Sequence, residues 1–310
     1  MPFTLLFSRT RTLILLSSLL IFSCGINEDQ ISEKKHQQQI NQWHEERIAD
    51  LEEKDSWLSL AGLHKLEDGT NTLGSDSSNT IIFPPVAAPD IGTITVSDSS
   101  FVFTVEPGVT VTKNGLKVSS PQELQTDAKG TATILKQGRF LWHLIERRNA
   151  TYVRIKDINH PNFDSFTGIE RFPVSRHWRI KATYHPFDTP KAITIPDVLG
   201  EGLQDSLYGE LRFTLNGQDY TLSPLGNPEA EAEFFIIFGD QTNGESTYSG
   251  GRYLYANTPA NDNITYIDFN KAYNPPCVFT SFATCPLPPA QNRLDINIEA
   301  GEKMYQATTK

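Results

Sequence analysis

The chain has 310 residues, a formal net charge of −10 and a mean hydropathy of −0.36. With 27 Lys and Arg against 37 Asp and Glu, and no basic cluster, its field repels polyanions, so nucleic acid is not an expected partner. Three cysteines are too few for a disulfide-dense scaffold, and a fold must come from apolar cores.

Residues 1–23 read as a lipoprotein signal peptide. Arg9 and Arg11 precede the apolar run Leu13 to Phe22, which is shorter than the ~20 residues needed to span a bilayer. Ile21-Phe22-Ser23-Cys24 resembles a lipobox, with an aliphatic residue three positions before the cysteine and a small one directly before it. The resemblance implies cleavage there and acylation of Cys24. Two or more acyl chains anchor stably, each buried methylene contributing about 0.8 kcal/mol. The mature protein is therefore expected outside the cytoplasm, held on a membrane by lipid without spanning it. Gly25, in place of an aspartate, implies outer-membrane sorting if the envelope has two membranes.

Residues 24–39 are polar and predict a flexible tether. A helix is expected from Glu33 to Lys54, with Ile40, Trp43, Ile48 and Leu51 on one stripe and Glu45, Glu46, Glu52 and Glu53 pointing away. That helix begins a unit over 40–150 whose short strands are punctuated by Asp68-Gly69, Leu73-Gly74, Asn114-Gly115 and Lys129-Gly130, a spacing that suits a small β-sandwich. Thr72 to Ile81, followed by Val111 to Gly115, is similar to the skeleton of a forkhead-associated domain. Ser75 stands where that family places a phosphate-holding arginine, and no Ser-x-x-His follows, so a structural sandwich is expected rather than a phosphopeptide site.

A second unit, 151–310, stays β-periodic: Tyr152–Ile155, Trp178–Ala182, Ala192–Ile195, Leu211–Leu215, Phe234–Phe238, Arg252–Tyr255 and Leu294–Glu299 all read as strands. Asn216-Gly217 is a hairpin signal. Phe234 to Phe238 is apolar on both faces and predicts a buried central strand. The expected architecture is mainly β: an N-terminal helix, a small sandwich, then an antiparallel sandwich or barrel capped by a proline-rich segment.

No G-x-S-x-G, phosphate-cradling Gly-Lys loop, G-x-G-x-x-G, H-E-x-x-H or C-x-x-C occurs, which argues against nucleotide-dependent chemistry; no cofactor is expected. What remains is a constellation around the end of the Phe234–Phe238 strand. Asp240, Thr242, Thr247, Tyr248 and Arg252 follow it, and Asp268, Asn270 and Asn274 lie on the next segment. Glycines at 244, 250 and 251 allow a loop to close over them. An exposed Arg252 would offer a planar fork of donors to a ligand carboxylate or phosphate, whereas a buried one would brace the loop against Asp240 or Asp268. Asp240 or Asp268 is the candidate base if the site is hydrolytic. Asp240, Asn243, Glu245 and Asp268 all offer oxygen to a cation, but their spacing fits no calcium loop and no metal is expected. His64, His177 and His185 read as structural rather than catalytic.

Asp268 to Arg293, DFNKAYNPPCVFTSFATCPLPPAQNR, packs polar side chains, prolines and two cysteines into one stiff segment. With FGDQTNGESTYSGGRYL from Phe238, AGE from Ala300, WLSLAGL from Trp57 and FTGIERFP from Phe166, it resembles the bacterial and archaeal family known as domain of unknown function 1684. The resemblance implies boundaries and candidate residues, but no reaction. Cys277 and Cys285 are placed by this motif. In an oxidising compartment they can pair; otherwise they pack as small apolar thiols, and Cys277 joins Thr247 as a possible nucleophile. The leading expectation is a small polar or anionic ligand bound through Asp240, Thr247, Tyr248, Arg252, Asp268, Asn270 and Asn274. An extracytoplasmic hydrolase and a structural envelope component are the alternatives.

Overall fold

A computed structural model describes residues 31–147, 150–198, 200, 202–260 and 262–306. The leader and Cys24 lie outside the described residues. Helix α1 (Glu33–Glu52) starts where the Ser32 side chain accepts a hydrogen bond from the Lys35 backbone N–H, an N-cap that ends the expected tether six residues before Gln39. Its Ile40 and Leu51 are buried as the stripe required, and so is His36 on the same face.

Among the described residues the first unit has eleven strands: β1 (Leu60–Lys65), β2 (Gly69–Gly74), β3 (Ile81–Ile82), β4 (Gly92–Ser97), β5 (Ser100–Val105), β6 (Thr112–Lys113), β7 (Leu116–Lys117), β8 (Gln122–Glu123), β9 (Leu135–Gln137), β10 (Phe140–Arg147) and β11 (Ala150–Asp157). They form a six-stranded sheet in the order β1-β11-β10-β9-β6-β7 and a five-stranded sheet in the order β3-β2-β4-β5-β8. Leu73, Ile94 and Phe103 of one sheet meet Trp142, Leu144, Val153 and Ile155 of the other in one core. Trp142 is gripped edge-on by Phe83 at 5.4 Å and Phe103 at 5.9 Å. Because strands alternate faces, His143, Arg154 and Lys156 are left on the outer face of the six-stranded sheet, where His143 and Arg154 sit opposite each other in register.

The second unit follows a short helix, α2 (Asn162–Ser165). Strands β12 (Arg179–Ile195), β13 (Leu203–Leu215), β14 (Gln218–Leu222) and β17 (Ile264–Asp268) form a four-stranded sheet in the order β14-β13-β12-β17, with β15 (Glu233–Phe238) and β16 (Arg252–Asn257) as a separate antiparallel pair. The sheets are open rather than closed into a barrel, and Phe213, Phe234, Ile236, Phe238, Leu254 and Ile267 fill the space between them. Asn216 and Gly217 take φ of 53° and 78° between paired Leu215 and Gln218, the primed turn that their sequence predicts. Strand β15 is buried as expected, yet only β16 pairs with it along its length; its other edge makes single bridges near Leu225 and Arg293. Leu294 to Glu299 is not a strand. Its backbone is shared between backbone and side-chain partners: Leu294 N–H donates to the Gly239 carbonyl and the Ile296 carbonyl accepts from Gln241 N–H, while the Ile298 N–H donates to Asp240 Oδ1 and the Ile298 carbonyl accepts from Arg252.

Candidate functional site

The polar residues of the constellation converge, but mostly inward. Strand β16 directs Arg252, Leu254 and Ala256 into the core and turns Tyr253 and Tyr255 to the opposite face. Arg252 is fully buried. Its guanidinium holds Asp240 Oδ2 at 2.7 Å and donates to the carbonyls of Ile298, at 2.9 Å, and Ala300. Burial pushes the Arg252 pKa down, opposed by the Asp240 carboxylate. Asp240 Oδ1 accepts from the Thr242 backbone and hydroxyl, and Thr242 shares a hydrogen bond of 2.7 Å with Thr247, which also accepts from Asn243. Arg252, Asp240 and Thr247 are therefore buried and committed to one another and to the backbone rather than set on an open face: strand alternation turns Arg252 inward, and the loop hydrogen bonds hold Asp240 and Thr247 beside it. Tyr248 is half-buried beside Gly250, where an added Cβ would come within 2.5 Å of its ring.

Asp268 and Asn270 form a second brace. Asp268 Oδ2 lies 2.6 Å from His36 Nε2 on α1, while Oδ1 accepts from the Asn270 backbone and side chain. Asn270 in turn spans the backbone of Ser175. The edge of Asp268 reaches a groove of about 370 Å³ between α1, β16 and β17, but both its oxygens are engaged.

Glu302 supplies a third brace. Its buried carboxylate accepts from Arg47 Nε at 2.6 Å and from the Asn274 backbone at 2.6 Å. Gly301 makes this approach possible, because a Cβ there would stand 2.4 Å from the Ala272 carbonyl oxygen, and its φ is 75°. Arg47 also donates to the Asn274 carbonyl and lies 4.5 Å over the Tyr273 ring. Helix α1 is thus tied to the motif by His36 and Arg47, and further by His44, whose Nε2 lies 3.2 Å from the Ile169 carbonyl, and Asn41, which accepts from Arg171.

Cys277 and Cys285 are bonded, with Cα atoms 6.0 Å apart, which leaves Cys277 no thiol to act as a nucleophile. Of the histidines considered from sequence, His177 is exposed and stacks edge-on with Trp178 at 5.0 Å, and His64 is pushed down in pKa by burial. No group of three or more His, Cys, Asp or Glu suited to a metal occurs among the described residues.

The open space lies on the other face of β16. A cleft of about 450 Å³ between α1 and the motif is lined by Trp43, Glu46, Arg47, Asp50, Trp57, Phe235, Tyr253, Tyr255, Tyr273, Asn274, Pro276 and Phe279. Tyr255 and Tyr273 stack at 6.2 Å with 12° between their planes, and Phe235 lies 5.1 Å from Tyr255. Tyr255 is 49% exposed and Trp57 38%. Burial raises the phenol pKa values of Tyr253 and Tyr273 far above the ordinary tyrosine range, so both remain protonated donors. Of the seven sequence-named ligand residues, Asn274 alone lines this cleft. A second cleft, of about 420 Å³, continues from it at Arg47, Asp50 and Trp57 and runs along the outer face of β10 and β11 to His143, Arg154 and Lys156. Sequence reasoning named none of these three. Their only signal is alternation: each is a polar position on a strand whose intervening residues are apolar.

Among curated proteins nothing matches the chain. The solution NMR structure of an uncharacterized protein of Haloarcula marismortui is similar, at 28% identity over 45% of this chain and 78% of that one, with a TM-score of 0.38. Residues 164–303, which hold Asp240, Arg252, Asp268 and Glu302, the disulfide and the Tyr253–Tyr255–Tyr273 wall of the cleft, match the model of the family described as Protein of unknown function (DUF1684).

Proposed function

We propose that the protein is a lipid-anchored envelope protein that binds a small polar ligand in the aromatic cleft between α1 and the family segment. The observation that carries this reading is the ring-lined wall: Trp43, Trp57, Tyr255 and Tyr273 line one concavity, with Glu46, Arg47 and Asp50 beside them. Rings bind sugar or planar groups by stacking, while the few charged neighbours set orientation. The braces behind the wall support binding rather than hydrolysis, because Asp240 and Asp268 have both oxygens committed to neighbours. The family motif then serves to hold Tyr253, Tyr255 and Tyr273 in place.

The test is tryptophan fluorescence of the purified soluble domain titrated with monosaccharides, amino acids and nucleosides. A saturable change that Tyr255→Ala weakens at least tenfold, with the melting temperature little altered, supports the reading. Saturation with no loss in Tyr255→Ala places the ligand elsewhere, and turnover of a bound ester or glycoside replaces binding by hydrolysis. The anchor is tested separately: Cys24→Ala is expected to leave the protein in the soluble fraction after a salt wash.

A further inference from the structure

The second cleft holds a charge with no counterpart. Arg154 is 7% exposed, yet its side chain makes no hydrogen bond and no ion pair among the described residues, and its Nε is buried without a partner. Its guanidinium lies 5.4 Å over the Trp57 ring, and the residue lines the cleft. A chain with 37 acidic residues has ample means to pair a buried arginine, and unpaired burial is costly. The acid whose field reaches it, Asp127, is ion-paired with Arg147 at 2.7 Å, and Asp50 and Asp55 stand exposed at the rim of the cleft, where solvent screens them. Lys156, two residues along β11 on the same face, donates to the Asp55 carbonyl, and His143 faces Arg154 from β10.

We propose that Arg154, with Lys156 and His143, forms an oxyanion-binding site at the floor of this cleft, taking a carboxylate or phosphate group of a small ligand. A buried guanidinium between a ring and two further N–H donors matches the planar edge of such a group. The surroundings agree: desolvation, with Lys156 and Arg154 next, pushes His143 down to about 4, so near neutral pH it contributes an uncharged ring nitrogen. The site stands whether or not the aromatic cleft is occupied, although a ligand spanning Arg47 and Trp57 would reach both.

The experiment uses the soluble domain with inorganic phosphate and, separately, acetate, read by calorimetry and by the His143 imidazole NMR signals. Saturable binding of either anion with a shift of those signals is expected; which anion binds more tightly distinguishes the source. Arg154→Met should abolish it, and Lys156→Gln should weaken it about threefold to tenfold, on the scale of one charge-assisted hydrogen bond. If Arg154→Met does not fold, Arg154→Lys keeps the charge without the fork and should weaken binding by a similar factor. Binding unchanged in these variants, or no saturable binding of either anion up to about 50 mM, the weak end of measurable affinity, overturns the proposal.

Discussion

His36 Nε2 sits 2.6 Å from Asp268 Oδ2, joining the first turn of α1 to the start of the family motif across 232 residues of sequence. Both groups are nearly buried, so each satisfies a partner that would otherwise be stranded. His36→Ala is expected to cost about 1–3 kcal/mol, the desolvation of an unsatisfied carboxylate oxygen. Amide exchange over 33–52 should speed up selectively in that variant, because the helix loses the polar tie at its first turn.

Removing Arg252 acts on the core rather than on a ligand. Arg252→Ala strands Asp240 and the carbonyls of Ile298 and Ala300, and urea denaturation should register a loss of about 3–5 kcal/mol. A change below about 1 kcal/mol would mean that the pair is not buried in solution.

Stability should fall with acidification between pH 6.5 and about 4, and His143 is a main cause. Its pKa is lowered from 6.5 to about 4 by burial, then by Lys156 and Arg154. In that window the unfolded chain binds a proton that the folded one refuses, so stability is kept above the unfolded value and lost as the pH drops. At about 1.4 kcal/mol per unit the loss is at most about 3.5 kcal/mol. His44, His64 and His160 shift in the same direction. Chemical denaturation at pH 7 and pH 4.5 should show a smaller difference for His143→Gln than for the wild type.

Thiol titration of the denatured, unreduced soluble domain should find neither Cys277 nor Cys285 free. Closing eight residues of sequence separation constrains the unfolded chain by about 2.5 kcal/mol, so reduction is expected to lower stability by that order. Because Pro276 and Phe279 line the aromatic cleft next to this bridge, ligand affinity should drop with it.

The fold was legible where local chemistry decides. Ile40, Leu51 and the Asn216-Gly217 turn announced their roles through period and φ preference. Leu294 to Glu299 looked like a strand because its alternation is real, but the partners that reshape it lie more than forty residues away, as with Arg252 and Ile298. The site was half legible. The motif marked a segment that lines the aromatic cleft, yet the choice of Arg252 over Tyr253 and Tyr255 turned on a single step of strand register. His36, Arg47 and Arg154 gave no local sign at all, since an amphipathic stripe or alternating strand looks the same whether its odd polar member meets solvent or a buried partner.

The family segment, 164–303, carries only one wall of the trough; Trp43, Arg47, Trp57 and Arg154 all come from outside it. Heredity of this segment is thus heredity of half a mould. If the cleft binds as proposed, two relatives that share every brace and tyrosine described for this chain would differ in ligand wherever the preceding residues differ. A specificity comparison across the family should therefore align the helix and the β10–β11 hairpin, and an excised 164–303 fragment should bind nothing that the full chain binds.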